Sequence, residues 1–445
     1  MHAALRSALF GSALPLAGFE LGMDFRAGWY RSGAVVTRDP AALPGQAFTR
    51  PDLKFEEVGG VLVRVAPSAP LIVPGLGFLA RTSYRNFMPN SSWSGAAPNS
   101  QVPQIGIATA AQNGITRRVE ALGSIDFGNG TVLPYIDLRV FGTATANTST
   151  YPVLSGTNNA SMPDAAVDER WTASIGARLL PGGVMPGCNI GLTASARSRD
   201  GSTIYGTYSN DLMTLGEWKV AGDWAITTTP ALPANTGSMW MFLSMFIPSG
   251  ATVDYTIRLF APSLVKAAIR GPYIPTGGAS VGINTDNMRL GQPIPADDNW
   301  VILHSAVMQR TTAQQNGNDR LWNLAHGAVE RFAVYRSGPA DGAPGRINAL
   351  STIADGTRTG SGTATILPAG RIVTALVKTG GSYRLVVRGP DGAISYSPQW
   401  TPSAYPSPID YFYLSPAIDG YHEFFGYRRG TFSDAQVAGM MAAVA

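Results

Sequence analysis

The chain predicts an all-β protein built mainly from two β-sandwiches. Three observations lead there. The 445 residues include 51 glycines and 32 prolines, far more turn-forming residues than helical domains use. Apolar residues recur with period two over short segments, as half-buried strands require. Long helical periodicity is nearly absent, so many turns mean many short strands. Charged residues make up 14% of the chain where roughly 25% is usual, so Ser, Thr, Asn, Gln and Gly must build the surface.

Residues 1–47 form a first segment. An arginine followed by an apolar run, MHAALRSALFGSALPLAGF, has the look of a signal peptide. The preferred reading is an apolar anchor that inserts into a partner or a neighbouring subunit. Residues 3–10 suit one short helix stopped by Gly11, and residues 23–30 and 33–37 suit extended chain. Residues 48–92 read as a short β linker module. In it, Val61, Val63 and Val65 alternate along a strand that follows the Gly59-Gly60 turn.

Residues 93–276 form the first large domain. Its clearest strand is residues 134–145, with Ile136, Leu138 and Val140 on one face and Tyr135, Asp137 and Arg139 on the other. Further strands are expected at residues 171–179, 190–198, 218–228, 238–247 and 252–260. The run SMWMFLSMFI at 238–247 is apolar on both faces. It is either a central core strand or one whose outer face meets another subunit. In the closing strand Val253, Tyr255, Ile257 and Leu259 share the buried face. Pro262 is expected to end that strand, because it cannot donate to the ladder. Pro272, Pro275, Gly277 and Gly278 then suggest a connector.

Residues 281–445 form the second large domain. Residues 371–397 read as a three-stranded meander with turns at Thr379-Gly380-Gly381 and Gly389-Pro390-Asp391-Gly392. A strand at 421–427 precedes a short helix that Ser433 and Gln436 can cap reciprocally.

Several motifs carry a resemblance. They are Phe48 and Arg50, Gly59-Gly60, Val65-Ala66, Pro70, Gly75-Leu76 and Asn86-Phe87-Met88, followed by Pro134 to Arg139 with Gly142-Thr143 and by Tyr273-Ile274-Pro275-Thr276. Together they resemble the carbohydrate-binding-module-like jelly rolls of phage fibres and of the spikes and fibres of gene-transfer-agent particles. The end of the chain, with its Arg-bearing loop, Phe432-Ser433-Asp434-Ala435-Gln436 and small helix, resembles a concanavalin/laminin-G-type lectin sandwich. The Glu that usually follows the closing strand is Val265 here, so any role of that Glu does not carry over.

The resemblance implies a structural protein of a phage or phage-like virion, exposed on the particle surface as a head spike, head fibre or tail fibre. It implies contact with other virion proteins through the N-terminal segment, a homo-oligomer, and binding of host cell-surface polysaccharide without cleavage. The alternatives are an architectural connector or capsid decoration, and a polysaccharide depolymerase.

Composition narrows the chemistry. Net charge is only +4, and Arg117-Arg118 and Arg428-Arg429 are isolated pairs, so no nucleic-acid partner is expected. No apolar run reaches the roughly 20 residues of a membrane span. The single cysteine, Cys188, excludes an intrachain disulfide. Asn90, Asn129, Asn147 and Asn159 lie in N-x-[ST] sequons and read as turn residues. No HExxH, phosphate-loop, G-x-S-x-G or dinucleotide motif occurs. The four histidines show no metal spacing, and the adjacent carboxylates Glu56-Glu57, Asp168-Glu169 and Asp297-Asp298 would point to opposite faces of a strand. No enzyme and no cofactor are therefore expected. Asn316, Asn318, Asp319, Asp286 and Asn287 supply loop oxygens that suit Ca²⁺. Sugars stack their apolar faces on aromatic rings, while their hydroxyls need polar partners. On that basis the carbohydrate-binding candidates are Tyr205, Tyr208, Trp218, Asp223 and Trp224 in the first domain, and Trp400, Tyr411 and Tyr413 in the second.

Overall fold

The computed structural model describes residue 16 and residues 18–445, other than 51, 59–60, 82, 129, 221–222, 284–285, 292, 296–297, 313–317, 327–328, 340–341, 354–355, 405, 407 and 415–417. The helix expected at residues 3–10, the turn at Gly59-Gly60, and Asn316 lie outside the described residues. The chain divides into two compact units. A central unit comprises residues 52–66 and 84–283, and a C-terminal unit comprises residues 1–51, 67–83 and 284–445. Segment 48–92 is thus divided between them. Antiparallel sheets dominate both units, as the turn-rich, period-two sequence requires.

The central unit is a sandwich of two sheets. The first runs Ala110–Gln112, Ile115–Asp126, Val132–Thr143, Thr252–Val265, Thr172–Leu179, Trp224–Thr228. The second runs Thr148–Thr150, Ser238–Ile247, Asn189–Arg197, Ile204–Thr214, Glu217–Trp218. Alternate residues of each strand meet in one core: Ile136, Leu138 and Val140 from one sheet, and Met239, Met241, Leu243 and Met245 from the other. The strand expected at 218–228 is two strands. Trp218 pairs with Met213 in the second sheet, whereas Trp224 pairs with Gly176 in the first.

Pro262 does not end its strand, which continues to Val265. The reason is a bulge. Ser174 pairs with Ser263 and Gly176 with Phe260, so Ala261 and Pro262 together oppose the single residue Ile175 and the strand carries one extra residue. Ala261 takes φ 44°, and a proline at an unpaired position deprives the ladder of nothing. The expected connector at 272–278 is also corrected, because Tyr273, Ile274 and Thr276 are buried. Ser91 Oγ accepts from the Thr276 amide at 2.9 Å, and the Ser91 amide donates to Thr276 Oγ1 at 2.8 Å. Asn86 holds the carbonyls of both Pro262 and Ile274.

In the C-terminal unit, the larger sheet runs Val35–Thr37, Trp29–Ser32, Leu21–Asp24, Gly420–Arg429, Trp300–Met308, Gly370–Thr379, Ser382–Arg388, Ile394–Tyr396. The hairpin Leu71–Val73/Gly77–Ala80 joins it on Gly420–Arg429. The facing sheet runs Arg358–Ile366, Arg346–Thr352, Val329–Arg336, Asp319–His326, Tyr411–Leu414, Asn287–Gly291, Ala47–Thr49. Residues 23–30 are not one extended run. They turn between Leu21–Asp24 and Trp29–Ser32, burying Met23, Phe25 and Tyr30 in the inter-sheet core. Trp300–Met308 is apolar on both faces because Trp300 and Ile302 face that core, while Val301 and Leu303 lie under the C-terminal helix. That helix, Asp434–Val444, is capped by Ser433 and Gln436 as the sequence predicts, and packs Val437, Met440, Met441 and Val444 on the sheet. No helix among the described residues is long and apolar enough to cross a membrane.

Candidate functional site

The strand Ser238–Ile247 sends its methionines, Leu243 and Ile247 inward. Alternation therefore puts Trp240, Phe242, Ser244 and Phe246 on the outer face of the five-stranded sheet. Register places Ser195 beside Trp240, Thr193 beside Phe242 and Asn189 beside Phe246. One strand further, Thr207 stands beside Ser195, Ser209 beside Thr193 and Asp211 beside Gly191. The half-buried rings of Trp240 and Phe246, with the buried Phe242 between them, thus lie along a two-strand field of hydroxyl, amide and carboxylate groups.

Local contacts fix the rings. The Arg197 guanidinium sits 4.3 Å from the Trp240 ring centroid and 5.8 Å from that of Phe242. Burial lowers the pKa of Arg197 from its ordinary value, and the Tyr151 hydroxyl works against that shift. Trp240 Nε1 donates to Ser238 Oγ at 3.2 Å, which sets the indole's tilt. Tyr151 packs edge-on against Phe242 at 5.5 Å and is 55% exposed, extending the row into solvent. Thr193 Oγ1 bridges Ser209 Oγ at 2.9 Å and Ser244 Oγ at 3.0 Å, while Thr207, Ser209 and Asp211 are exposed. Chemically this is an amphipathic surface of pre-positioned rings for an apolar ligand face and hydroxyls for a polar rim.

Of the candidates expected from sequence, Tyr205 is half-exposed in a bulge of the neighbouring strand. It is the extra residue where Arg197 pairs with Ile204 and Ala196 with Gly206. Tyr208 and Trp218 instead pack against the inter-sheet core. Trp224 lies on the outer face of the other sheet, edge-on to Phe260 at 5.3 Å and covered by the Arg270 guanidinium at 3.8 Å. Asp223 engages Arg178 through both carboxylate oxygens. The two tryptophans therefore do not form one platform. Trp400 is a core residue, with its ring 5.8 Å from Tyr383 and Nε1 donating to Ser351 Oγ at 3.3 Å. Tyr411 and Tyr413, with ring centroids 6.3 Å apart, are half-exposed beside Arg289 on the outer face of the seven-stranded sheet. Sequence reasoning missed Trp240, Phe242, Phe246 and Tyr151. The signal was present in SMWMFLSMFI, where the residues alternating with the core set are themselves mostly aromatic.

The other candidate groups are engaged structurally. Asp286 holds the buried Arg50 at 2.8 Å and accepts from the Arg81 amide at 3.0 Å. Asp319 holds Arg310 at 2.7 Å and Arg336 at 2.6 Å. Both loop carboxylates proposed for Ca²⁺ are thus neutralised by arginines, and no three His, Cys, Asp or Glu side chains gather as a metal site among the described residues. Glu56 pairs with Lys54 at 2.9 Å, and Glu169 accepts from Trp171 Nε1 at 3.1 Å. His422 Nδ1 meets His304 Nε2 at 2.7 Å, and both rings are buried. Burial, reinforced by His422, holds the His304 pKa well below the ordinary imidazole value.

No family model and no curated protein sequence matches the chain. Among solved structures it shows distant structural similarity to phage proteins. The CBM2 module of the evolved Dit of Lactobacillus casei BL23 phage J-1 aligns at 13% identity and TM-score 0.25, covering 34% of this chain and 72% of that one. The tripod (BppUct-A-L) from the bacteriophage Tuc2009 baseplate aligns at 11% identity and TM-score 0.28, covering 81% of this chain and 99% of that one. The alginate lyase from Klebsiella pneumoniae aligns at 10% identity and TM-score 0.23, covering 34% and 75%.

Proposed function

We propose that this chain is a surface appendage protein of a phage-like particle that binds host cell-surface polysaccharide without cleaving it. The virion assignment is supported by the sequence motifs from Phe48 to Thr276. The binding assignment is carried by one observation: the accessible rings Trp240, Phe246 and Tyr151, set around the buried Phe242, lie beside the hydroxyl field of Thr207 and Ser209 on one sheet face. Single-site affinity for a sugar is weak, and repetition of the face around a symmetric appendage makes it useful through multivalency.

The test is a bacterial surface-polysaccharide array probed with the full chain and with two variants, Trp240→Ala and the solvent-exposed Tyr151→Ala. Covering about 80 Å² of ring with a sugar face is worth about 2 kcal/mol, or about 30-fold in affinity. Trp240→Ala should therefore abolish array signal, and Tyr151→Ala should reduce it. Binding that survives both substitutions overturns this face as the site. Release of reducing sugar ends from a bound polysaccharide overturns binding without cleavage.

A further inference from the structure

A concave feature lies on the outer face of the seven-stranded sheet in the C-terminal unit. It is a groove of about 470 Å³, within the usual range of ligand sites. Tyr335 and Asn348 form one side, and the edge-strand glycines Gly360 and Gly362 form the floor. The bare glycines let the adjoining strand and its side chains approach closely. A Cβ on Gly362 would come within 2.0 Å of Asn348 Oδ1.

The charge here is one-sided. Arg346 and Arg358 line the groove, and no acidic side chain does so among the described residues. Arg346 donates only to the carbonyls of Thr363 and Gly362, which leaves its charge without a counter-ion. Arg358 is exposed and is the register partner of Thr352. Thr352 is 6% exposed and its Oγ1 has no hydrogen-bond partner. Phe332 pairs with Ser351, so Arg331 stands opposite Thr352 one residue along. Arg331 is also 6% exposed, and its Nε and Nη1 have no partner. A buried guanidinium with two unpaired nitrogens and an unpaired hydroxyl, beside two arginines with no acidic partner among the described residues, form a built electropositive site.

We infer that this groove binds an acidic glycan, with Arg358 and Arg346 taking a sugar carboxylate and Tyr335 and Asn348 contacting the ring. Arg331 and Thr352 do not line the groove; they stand in the strand register next to Arg358 and add positive charge and an unpaired hydroxyl behind it. Arginine suits this role because its planar fork matches a carboxylate. The inference rests on the glycan-binding reading but names a different unit, face and ligand charge.

The test uses the full chain with tetragalacturonate, a neutral glucose tetrasaccharide and inorganic phosphate as probes in titration calorimetry. Tetragalacturonate should bind, weaken with added salt, and lose roughly tenfold or more in affinity with Arg358→Glu and less with Arg358→Gln. The neutral tetrasaccharide should not displace it. The inference is overturned if tetragalacturonate does not bind, if Arg358→Glu leaves its affinity intact, or if phosphate displaces it at equal concentration, which would mark a general anion site. The two readings fail separately. Loss of polysaccharide binding with Trp240→Ala reports on the five-stranded face, and loss of tetragalacturonate binding with Arg358→Glu reports on the groove.

Discussion

Replacing Asn86 should cost the central unit more than its small side chain suggests. Asn86 is fully buried and all four of its side-chain hydrogen-bonding positions are filled. Oδ1 accepts from the amides of Met88 and Leu264, both at 3.1 Å. Nδ2 donates to the carbonyls of Ile274 at 2.8 Å and Pro262 at 3.3 Å. One amide thus ties the bulge at Ala261 and Pro262 to the strap at Tyr273–Thr276. Asn86→Ala strands the Met88 and Leu264 amides and the Pro262 carbonyl, while the Ile274 carbonyl keeps Ser91 Oγ at 3.4 Å. At the lower end of about 1 kcal/mol for each stranded group, the loss is about 3 kcal/mol. Chemical denaturation should report that loss, and hydrogen exchange should report faster exchange at the Leu264 amide. Asn86→Asp keeps both acceptors but sets an oxygen against two carbonyls. Its carboxyl should be raised above the ordinary Asp value, so its deficit relative to the wild type should shrink as pH falls through that raised pKa and the acid regains a proton to donate. A loss below about 1 kcal/mol for Asn86→Ala, with unchanged exchange at Leu264, would refute the reasoning.

Two further outcomes follow from buried groups. His304 stays neutral in the folded chain while the unfolded imidazole takes up a proton, so the unfolded state binds more protons below pH about 6.5 and stability must fall there. The loss approaches about 1.4 kcal/mol per pH unit for one such group, and His304→Phe should flatten a melting-temperature series from pH 7.5 to 5. Gly176 lies under Phe260, and a Cβ there would come within 2.1 Å of the ring. Gly176→Ala should cost about 1–3 kcal/mol by overpacking, and Phe260→Leu in the same chain should recover part of it in a double-mutant cycle.

The fold was largely legible because period two survives wherever one sheet face is buried. Residues 134–145 and 238–247 announce their strands and faces directly, and Ser433 with Gln436 announces the helix. Less legible were features set by pairing between distant segments. Pro262 reads as a stop until Gly176 and Ser174 show it in a bulge. The prolines after Arg270 read as a linker until Ser91 and Asn86, some 180 residues earlier, are seen holding them. The site was partly legible. Tyr411 and Tyr413 lie on an outer face, but local sequence does not distinguish the buried Trp400 from the outward Trp240. That distinction depends on which neighbour in the alternation meets the second sheet. The groove arginines carry no sequence signal, because it is their lack of acidic neighbours across strands that marks them.

The most direct test of glycan binding is hydroxyl-radical footprinting of the full chain with and without the polysaccharide selected on the array. Bound polysaccharide should protect Trp240, Tyr151 and Phe246 together, while Trp400 keeps its low reactivity in both states. Protection of Trp224 or of Tyr411 and Tyr413 with no change at Trp240 would contradict the assignment. So would protection of Trp240 that appears with rising protein concentration and needs no sugar, because it would make this face an interface between copies of the chain.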